Sequence, residues 1–139
     1  MQEIRIMNWE EAKPLAYPIR LTVFVEEQKV PKALELDADD PLAWHAIVFE
    51  NGKVIATGRL MRDGKIGRLA VLKQYRGQGF GSKLLRALVD HGKNLDILDF
   101  YLHAQTSAIG FYERLGFKPI DSEFNEAGIA HIKMVLEHR

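Results

Sequence analysis

The sequence contains no cysteine, and this absence removes several kinds of chemistry. Without thiols there can be no disulfide framework, no thiolate-bound zinc and no cysteine nucleophile. At 139 residues the chain is still long enough to bury a hydrophobic core without such cross-links. No repeat, low-complexity tract or linker divides it, so we expect a single domain over residues 1–139.

An excess of charge of either sign is also missing. Lysine plus arginine number 19 and aspartate plus glutamate number 19, so no overall field attracts nucleic acid or an anionic membrane. The first residues, MQEIRIMNWEEAK, carry acids and no apolar run of signal-peptide length, and no uncharged apolar stretch reaches the roughly 18 residues that would span a bilayer. We therefore expect a cytoplasmic protein that binds neither nucleic acid nor membrane, and any anion site must be local.

Turn signals divide the chain into strands and helices. Asn51-Gly52 and Asp63-Gly64 separate three strand-like runs, and such dipeptides favour hairpins because type I′ turns need positive φ. From Phe80 the apolar residues keep a helical period, and a strand, a short helix and two further strands follow. Ahead of the three-stranded meander, a strand at residues 3–8 precedes a helix predicted over residues 18–28. The predicted class is therefore α+β, or mixed α/β.

The stretch QYRGQGFG, from Gln74 to Gly81, places three glycines at alternate positions before the predicted helix. It does not match a Walker A loop, because Ser82 and Lys83 follow the last glycine in the wrong order and spacing. A dinucleotide fingerprint would need glycine at position 82. Two interpretations remain: a turn softened by glycine, or a phosphate cradle. The cradle is favoured by the unpaired N–H groups and partial positive charge of a helix N-terminus, with Arg76 beside it.

Two motifs resemble those of the GNAT superfamily of N-acetyltransferases. Residues 74–79 match the family's pattern Q/R-x-x-G-x-G/A at every specified position. FYERLGF at residues 111–117 resembles a second family motif, lYeklGF, which lies downstream at a similar distance. Segments of the small bacterial N-acetyltransferases related to ElaA and YjcF are similar to three stretches of this chain: VFVEEQKVP, KIGRLAV and LHAQTSAIGFYERLGF. The resemblance covers essentially the whole chain. It implies a mixed, mostly antiparallel sheet of six to seven strands flanked by about four helices.

The resemblance also implies a co-substrate, acetyl-CoA, and the residues that would bind it. Backbone groups of the strand before the loop would hold the pantetheine arm and the acetyl carbonyl, and the glycine loop would hold the pyrophosphate. Gln105 stands where many members have asparagine, and Tyr112 follows in register. The implied cofactor-binding set is Leu69, Ala70, Val71, Arg76, Gly77, Gln78, Gly79, Phe80, Gly81, Ser82, Gln105 and Tyr112.

Acetyl transfer to an amine needs a proton donor for the departing thiolate and a base for the amine. By resemblance, Tyr112 is the expected acid. The base is open between Glu26, with its neighbour Glu27, and His103. Each also has a structural interpretation: paired acids at a helix end are often a solvated surface, and a strand histidine often packs in the core. His131 is a weaker candidate for the substrate site. The acceptor would be a primary amine of a small molecule or peptide, attacking directly in a ternary complex.

Other functions and partners are weighed from the same residues. The histidines lack metal-ligand spacing, so no metal is expected. One alternative is an enzyme like the acyl-homoserine lactone synthases; another is a non-catalytic module that binds or senses acyl-CoA. Because many family members dimerise through their last strands, the resemblance implies that a homodimer can form.

Overall fold

A computed structural model of the protein describes residues 2–32 and 37–137. Seven strands form one sheet in the order β1-β2-β3-β4-β5-β7-β6. All neighbouring strands are antiparallel except β4 and β5, which run parallel. This confirms the expected mixed, mostly antiparallel sheet. The strands are β1 Gln2–Met7, β2 Trp44–Glu50, β3 Lys53–Leu60, β4 Lys65–Val71, β5 Tyr101–Gln105, β6 Phe117–Glu126 and β7 Ile129–Leu136.

Helices cover both faces of this sheet. In the described part of the chain the α-helices with defined bounds are α1 Trp9–Arg20, α2 Phe80–Asn94 and α3 Ile109–Glu113, and a π-helical segment, Leu21–Glu27, continues α1. Ile47 of β2 packs with α1, whereas its neighbour Ala46 packs with α2. Because successive strand residues point to opposite faces, α1 and α2 lie on opposite sides of the sheet. No helix in the part of the chain described here is long and apolar enough to cross a membrane.

The first helix begins earlier than the sequence analysis predicted. It starts at Trp9 instead of Pro18, because the side chain of Asn8 accepts a hydrogen bond from the Glu11 N–H at 3.0 Å and caps the first turn. Both Pro14 and Pro18 lie inside the helix. Prolines usually break a helix, but here a fully buried face packed on the sheet holds the helix together.

The two predicted hairpins differ in their turns. Asn51 and Gly52 both have positive φ, 50° and 80°, as the type I′ turn requires. In the second hairpin Gly64 alone has positive φ, 98°, and its N–H donates to the carbonyl of Met61 at 3.0 Å. This is a longer turn ending in a glycine bulge, a common hairpin connection with the same register-setting role.

The sheet opens between its two parallel strands. β4 and β5 are paired at Lys65↔Tyr101 and Ile66↔Leu102. Further along β4, the register with β3 shifts, and Arg68 has a positive φ of 51°. A bulge of this kind bends a strand and redirects its side chains. The carboxyl ends of β4 and β5 therefore separate, and this separation positions the cleft described next.

Candidate active site

A cleft of about 550 Å³ lies where β4 and β5 separate. Its walls come from the π-helical segment, from β3, β4 and β5, from the start of α3, and from the hairpin between β6 and β7. Of the residues singled out from the sequence, Leu69, His103, Gln105, Tyr112 and His131 line this cleft. The fold thus brings together side chains that are up to 62 positions apart in the chain.

Tyr112 is held by aromatic neighbours on α3 and β6. Its ring packs edge-on against Phe111, with centroids 5.0 Å apart, and against Phe117, with centroids 6.2 Å apart. Burial disfavours the charged phenolate and raises the pKa of Tyr112 to about 12. The hydroxyl therefore keeps its proton at neutral pH, as a proton donor must.

The remaining predicted groups of β4 and β5 have specific partners. The side-chain amide of Gln105 donates to the Oε1 of Gln28, 2.8 Å away, and so joins β5 to the end of the π-helical segment. Ala70 is buried against Ile19 of α1. The carbonyl of Val71 accepts a hydrogen bond from Arg76 at 2.9 Å. The end of β4 is consequently tied to the glycine loop that follows it.

The glycine loop leads directly into α2. Gly77 and Gly79 have φ of 77° and 86°, and a Cβ at either would meet no atom within 4 Å. Glycine is needed there for backbone conformation, while the space above the loop is open. The first helical hydrogen bond runs from the Lys83 N–H to the Gly79 carbonyl, so the N–H groups of residues 80–82 have no acceptor within the helix. This arrangement suits a phosphate group.

Arg76 connects the loop to the helix on the other side of the cleft. Its Nη2 lies 2.9 Å from the Oε2 of Glu27, in the π-helical segment. Glu26, one of the candidates for the base, is exposed at the end of the same segment and is not among the described residues that line the cleft. Of the two acids, Glu27 makes the cross-link and Glu26 faces solvent.

Sequence reasoning missed an ionic network under the cleft. Asp40 is fully buried and pairs with Arg20 at 3.0 Å and with Arg59 at 2.9 Å. Asp37 receives Arg59 at 2.9 Å and Arg68 at 3.0 Å, and both of its partners line the cleft. No local spacing could have revealed this network, because its partners are 19 to 31 residues apart.

The network sets the charge state of its buried members. Burial alone would raise the pKa of Asp40, but hydrogen bonds and charge from Arg20, and then from Arg59, hold it below its ordinary value of 3.8. Burial lowers the pKa of His45 below 6.5, although the backbone carbonyl of Asp40 accepts a hydrogen bond from its Nε2 at 2.9 Å. The native state therefore contains an ionised aspartate and a neutral histidine.

A second group missed by sequence reasoning surrounds His103. The carboxylate of Glu126, at the end of β6, lies 3.1 Å from the Nδ1 of His103 and 3.7 Å from the Nε2 of His131. All three side chains line the cleft. The alternation of β7 predicted only which face of the strand carries His131. The acid that His131 meets is decided by the pairing of β6 with β7.

A family comparison agrees with this geometry. Residues 10–138 match the acetyltransferase (GNAT) domain family. The chain belongs to this family. It is 35% identical over 141 residues to the uncharacterized N-acetyltransferase YjcF of Bacillus subtilis, covering 99% of this chain and 100% of the relative. The resemblance to the ElaA and YjcF branch is thereby confirmed.

Solved structures of the GNAT fold superpose over almost the full chain. An acyl-CoA N-acyltransferase from Pseudomonas aeruginosa has a TM-score of 0.89 at 27% identity, covering 99% of this chain and 100% of that one. ElaA of Escherichia coli has a TM-score of 0.87 at 27% identity, with the same coverage. The GNAT fold expected from the sequence is confirmed, and the protein is an acyltransferase of this family.

Among residues 2–32 and 37–137, no group of three or more histidine and acidic side chains is placed to hold a metal ion. His103 and His131 contact the same carboxylate, but His45 lies apart from them with Asp40. That the protein needs no metal stays a prediction.

Proposed function

We propose that this GNAT protein transfers the acetyl group of acetyl-CoA to a primary amine of a small molecule or peptide. Three neighbouring features support this proposal: the open glycine loop, the separated ends of β4 and β5, and the cleft containing Tyr112. A thioester bound along β4, with its pyrophosphate on the loop, would place its acetyl group at the cleft.

The loop and β4 would bind the co-substrate. The N–H groups of residues 77–82 would donate to the pyrophosphate, with Arg76 adding a positive charge nearby. Backbone groups of Leu69, Ala70 and Val71 would hold the pantetheine arm, as the family resemblance implies. Gln105 keeps an amide at the family's asparagine position. One hydrogen of its Nε2 donates to Gln28, so its carbonyl oxygen and its second N–H would be the groups that contact the co-substrate.

The amine must be neutral before it can attack. With a pKa near ~10.4, an alkyl amine is neutral in about one molecule in a few thousand at pH 7, which costs roughly 4–5 kcal/mol. A base in the cleft would offset this cost by accepting the proton, and His103 is our candidate because it lines the cleft. Glu26 stays a prediction for this role, although its exposed position makes it the weaker candidate.

Attack forms a C–N bond and breaks the C–S bond of the thioester. The N–H of Val71 would stabilise the negative charge that develops on the carbonyl oxygen, an effect worth roughly 3 kcal/mol. The proton lost by the amine would go to His103, and the CoA thiolate would take one from Tyr112. His103 then releases its proton to solvent, and the tyrosinate takes one from solvent. CoA leaves as the thiol, the product is a neutral amide, and both side chains return to their starting charges without a covalent acyl-enzyme.

CoA release over a broad panel of primary amines tests this function. The purified protein is incubated with acetyl-CoA and each amine, free thiol is measured, and the acetylated product is identified by mass. We expect a subset of amines to release CoA well above the hydrolysis rate. Binding of acetyl-CoA without release for any amine would instead favour the non-catalytic module, and release only with longer acyl groups would contradict acetyl as the donor group.

Two further expectations accompany the proposal. Dimerisation through the last strands would be seen as a doubled mass in light scattering at micromolar concentration. A cytoplasmic location stays a prediction from the sequence.

A further inference from the structure

Glu126 occupies a position that holds its carboxylate in one place. It is the last residue of β6 and is paired with Ile129 of β7. Ala127 and Gly128 form the turn between them, with φ of 53° and 78°, which are the positive values of a tight type I′ hairpin. The short turn fixes Glu126 relative to β7, and therefore relative to the cleft wall.

The contact with Glu126 determines which nitrogen of His103 carries the proton. Because an ionised carboxylate can only accept, the Nδ1 of His103 must donate to the Oε1 of Glu126, 3.1 Å away. In the neutral ring the lone pair then lies on Nε2. Among the residues that the structure describes, Nε2 has no hydrogen-bond partner, so it is available to accept a proton in the cleft.

His131 and Phe124 hold the same arrangement from the other side. The Nδ1 of His131 donates to the carbonyl of Ile129 at 2.7 Å, so its Nε2 faces the second oxygen of Glu126 at 3.7 Å. The ring of Phe124 packs edge-on against His103, with centroids 5.0 Å apart, and stacks on His131 at 6.1 Å. Both imidazoles are therefore restrained on either side of one carboxylate.

From this geometry we infer that Glu126 is the positioning residue of a His103–Glu126 dyad, with His103 Nε2 as the base that takes the proton of the attacking amine. Glu126 selects the Nδ1–H tautomer of His103 and stabilises the imidazolium that forms when Nε2 is protonated. This inference rests on the proposed acetyl transfer, which it deepens by naming the group that orients the base.

The tautomer can be measured without any substrate. In protein labelled with ¹⁵N-histidine, long-range ¹H–¹⁵N spectra of the neutral ring distinguish Nδ1–H from Nε2–H. We expect His103 to be mainly Nδ1–H in the wild type and to shift towards Nε2–H in Glu126→Ala. If His103 is Nε2–H in the wild type, or if the spectrum is unchanged in the variant, Glu126 does not orient the ring and the inference is wrong.

Kinetics with the best amine from the panel test the consequence. We expect Glu126→Ala to lower kcat/KM for the amine by about 10-fold. This is less than the roughly 100-fold or more of a group that itself transfers the proton, because Glu126 acts through His103 and is half exposed. Binding of acetyl-CoA should be unchanged, and Glu126→Gln, which retains an acceptor oxygen, should fall between the wild type and Ala. Equal rates for the wild type and Glu126→Ala would overturn the inference.

Matched variants separate this role from general damage. Glu123→Ala removes another exposed acid of β6 that does not line the cleft, and it should behave as wild type. In a double-mutant cycle, Glu126→Ala should cost little more once His103 is already Ala. The same 10-fold loss in that background would show that Glu126 acts elsewhere. If the wild type acetylates no amine, the proposed function fails, and the tautomer spectra still decide whether Glu126 orients His103.

Discussion

Replacing Tyr112 by phenylalanine removes one hydroxyl from the cleft and keeps the ring that packs on Phe111 and Phe117. With its pKa raised to about 12, Tyr112 holds its proton some 3.5 units more tightly than a thiol with a pKa of ~8.5. Proton transfer to the CoA thiolate is then uphill by about 5 kcal/mol. For a tyrosine without this burial the difference would be only about 2 kcal/mol.

An uphill step of this size is compatible with catalysis. Turnover of about 1–1000 per second corresponds to an overall barrier of about 13–17 kcal/mol, so a transient tyrosinate about 5 kcal/mol above the thiolate complex lies within it. Loss of a positioned acid usually costs about 100-fold or more in rate. We therefore expect Tyr112→Phe to lower kcat by about 100-fold, with little change in the affinity for acetyl-CoA.

Steady-state CoA release, combined with calorimetric binding of acetyl-CoA, measures the two effects separately. Tyr17→Phe is the matched control, since it removes a hydroxyl from α1 without touching the cleft lining. Because the pKa is near 12, the wild-type rate should show no loss from ionisation of Tyr112 up to pH ~10. A Tyr112→Phe enzyme within threefold of wild type from pH 7 to pH 10 would refute the assignment of the acid.

Three further predictions concern the loop and the buried charges. Gly79→Glu should abolish acetyl-CoA binding in calorimetry, while Gly52→Glu, which carries the same positive-φ strain in open space, should bind normally; equal binding by both would contradict the cradle. Asp40→Asn removes the buried charge that pairs with both Arg20 and Arg59 and should cost about 3–5 kcal/mol in urea unfolding, so a loss under 1 kcal/mol would contradict the network. Burial lowers the pKa of His45, so as pH falls below 6.5 the unfolded chain takes up a proton before the folded protein does. The free energy of unfolding should therefore drop there by up to about 1.4 kcal/mol per pH unit. His45→Gln should reduce this slope, and an unchanged slope would show that other groups cause it.

Local patterns determined much of the architecture. The hairpin dipeptides, the apolar period of α2 and the strand alternation predicted the seven-stranded order, because each depends on neighbours within about ten residues. The start of α1 was missed although Asn8 and Glu11 carry a capping signal, because Pro14 and Pro18 follow and proline usually breaks a helix. Tertiary packing outweighed their local preference.

Part of the candidate site could likewise be predicted from local sequence. The loop from Gly77 to Gly79 and the position of Tyr112 could be read from the sequence, because each belongs to one contiguous motif whose local conformation suits its proposed role. Glycine adopts a positive φ readily, so a glycine before a helix indicates the same backbone conformation in the isolated motif as in the folded protein.

What the sequence alone could not determine is which distant charges meet. Asp37 and Asp40 acquire arginines from α1, β3 and β4, and His103 acquires Glu126 only because β6 and β7 pair in one register and β7 lies beside β5. A one-residue slip would send Glu126 to the opposite face. The bulge at Arg68, which redirects β4, was equally invisible. The proposed phosphate cradle is thus a property of local sequence, whereas the side of the cleft around His103 and Glu126 is decided by strand register and buried charge.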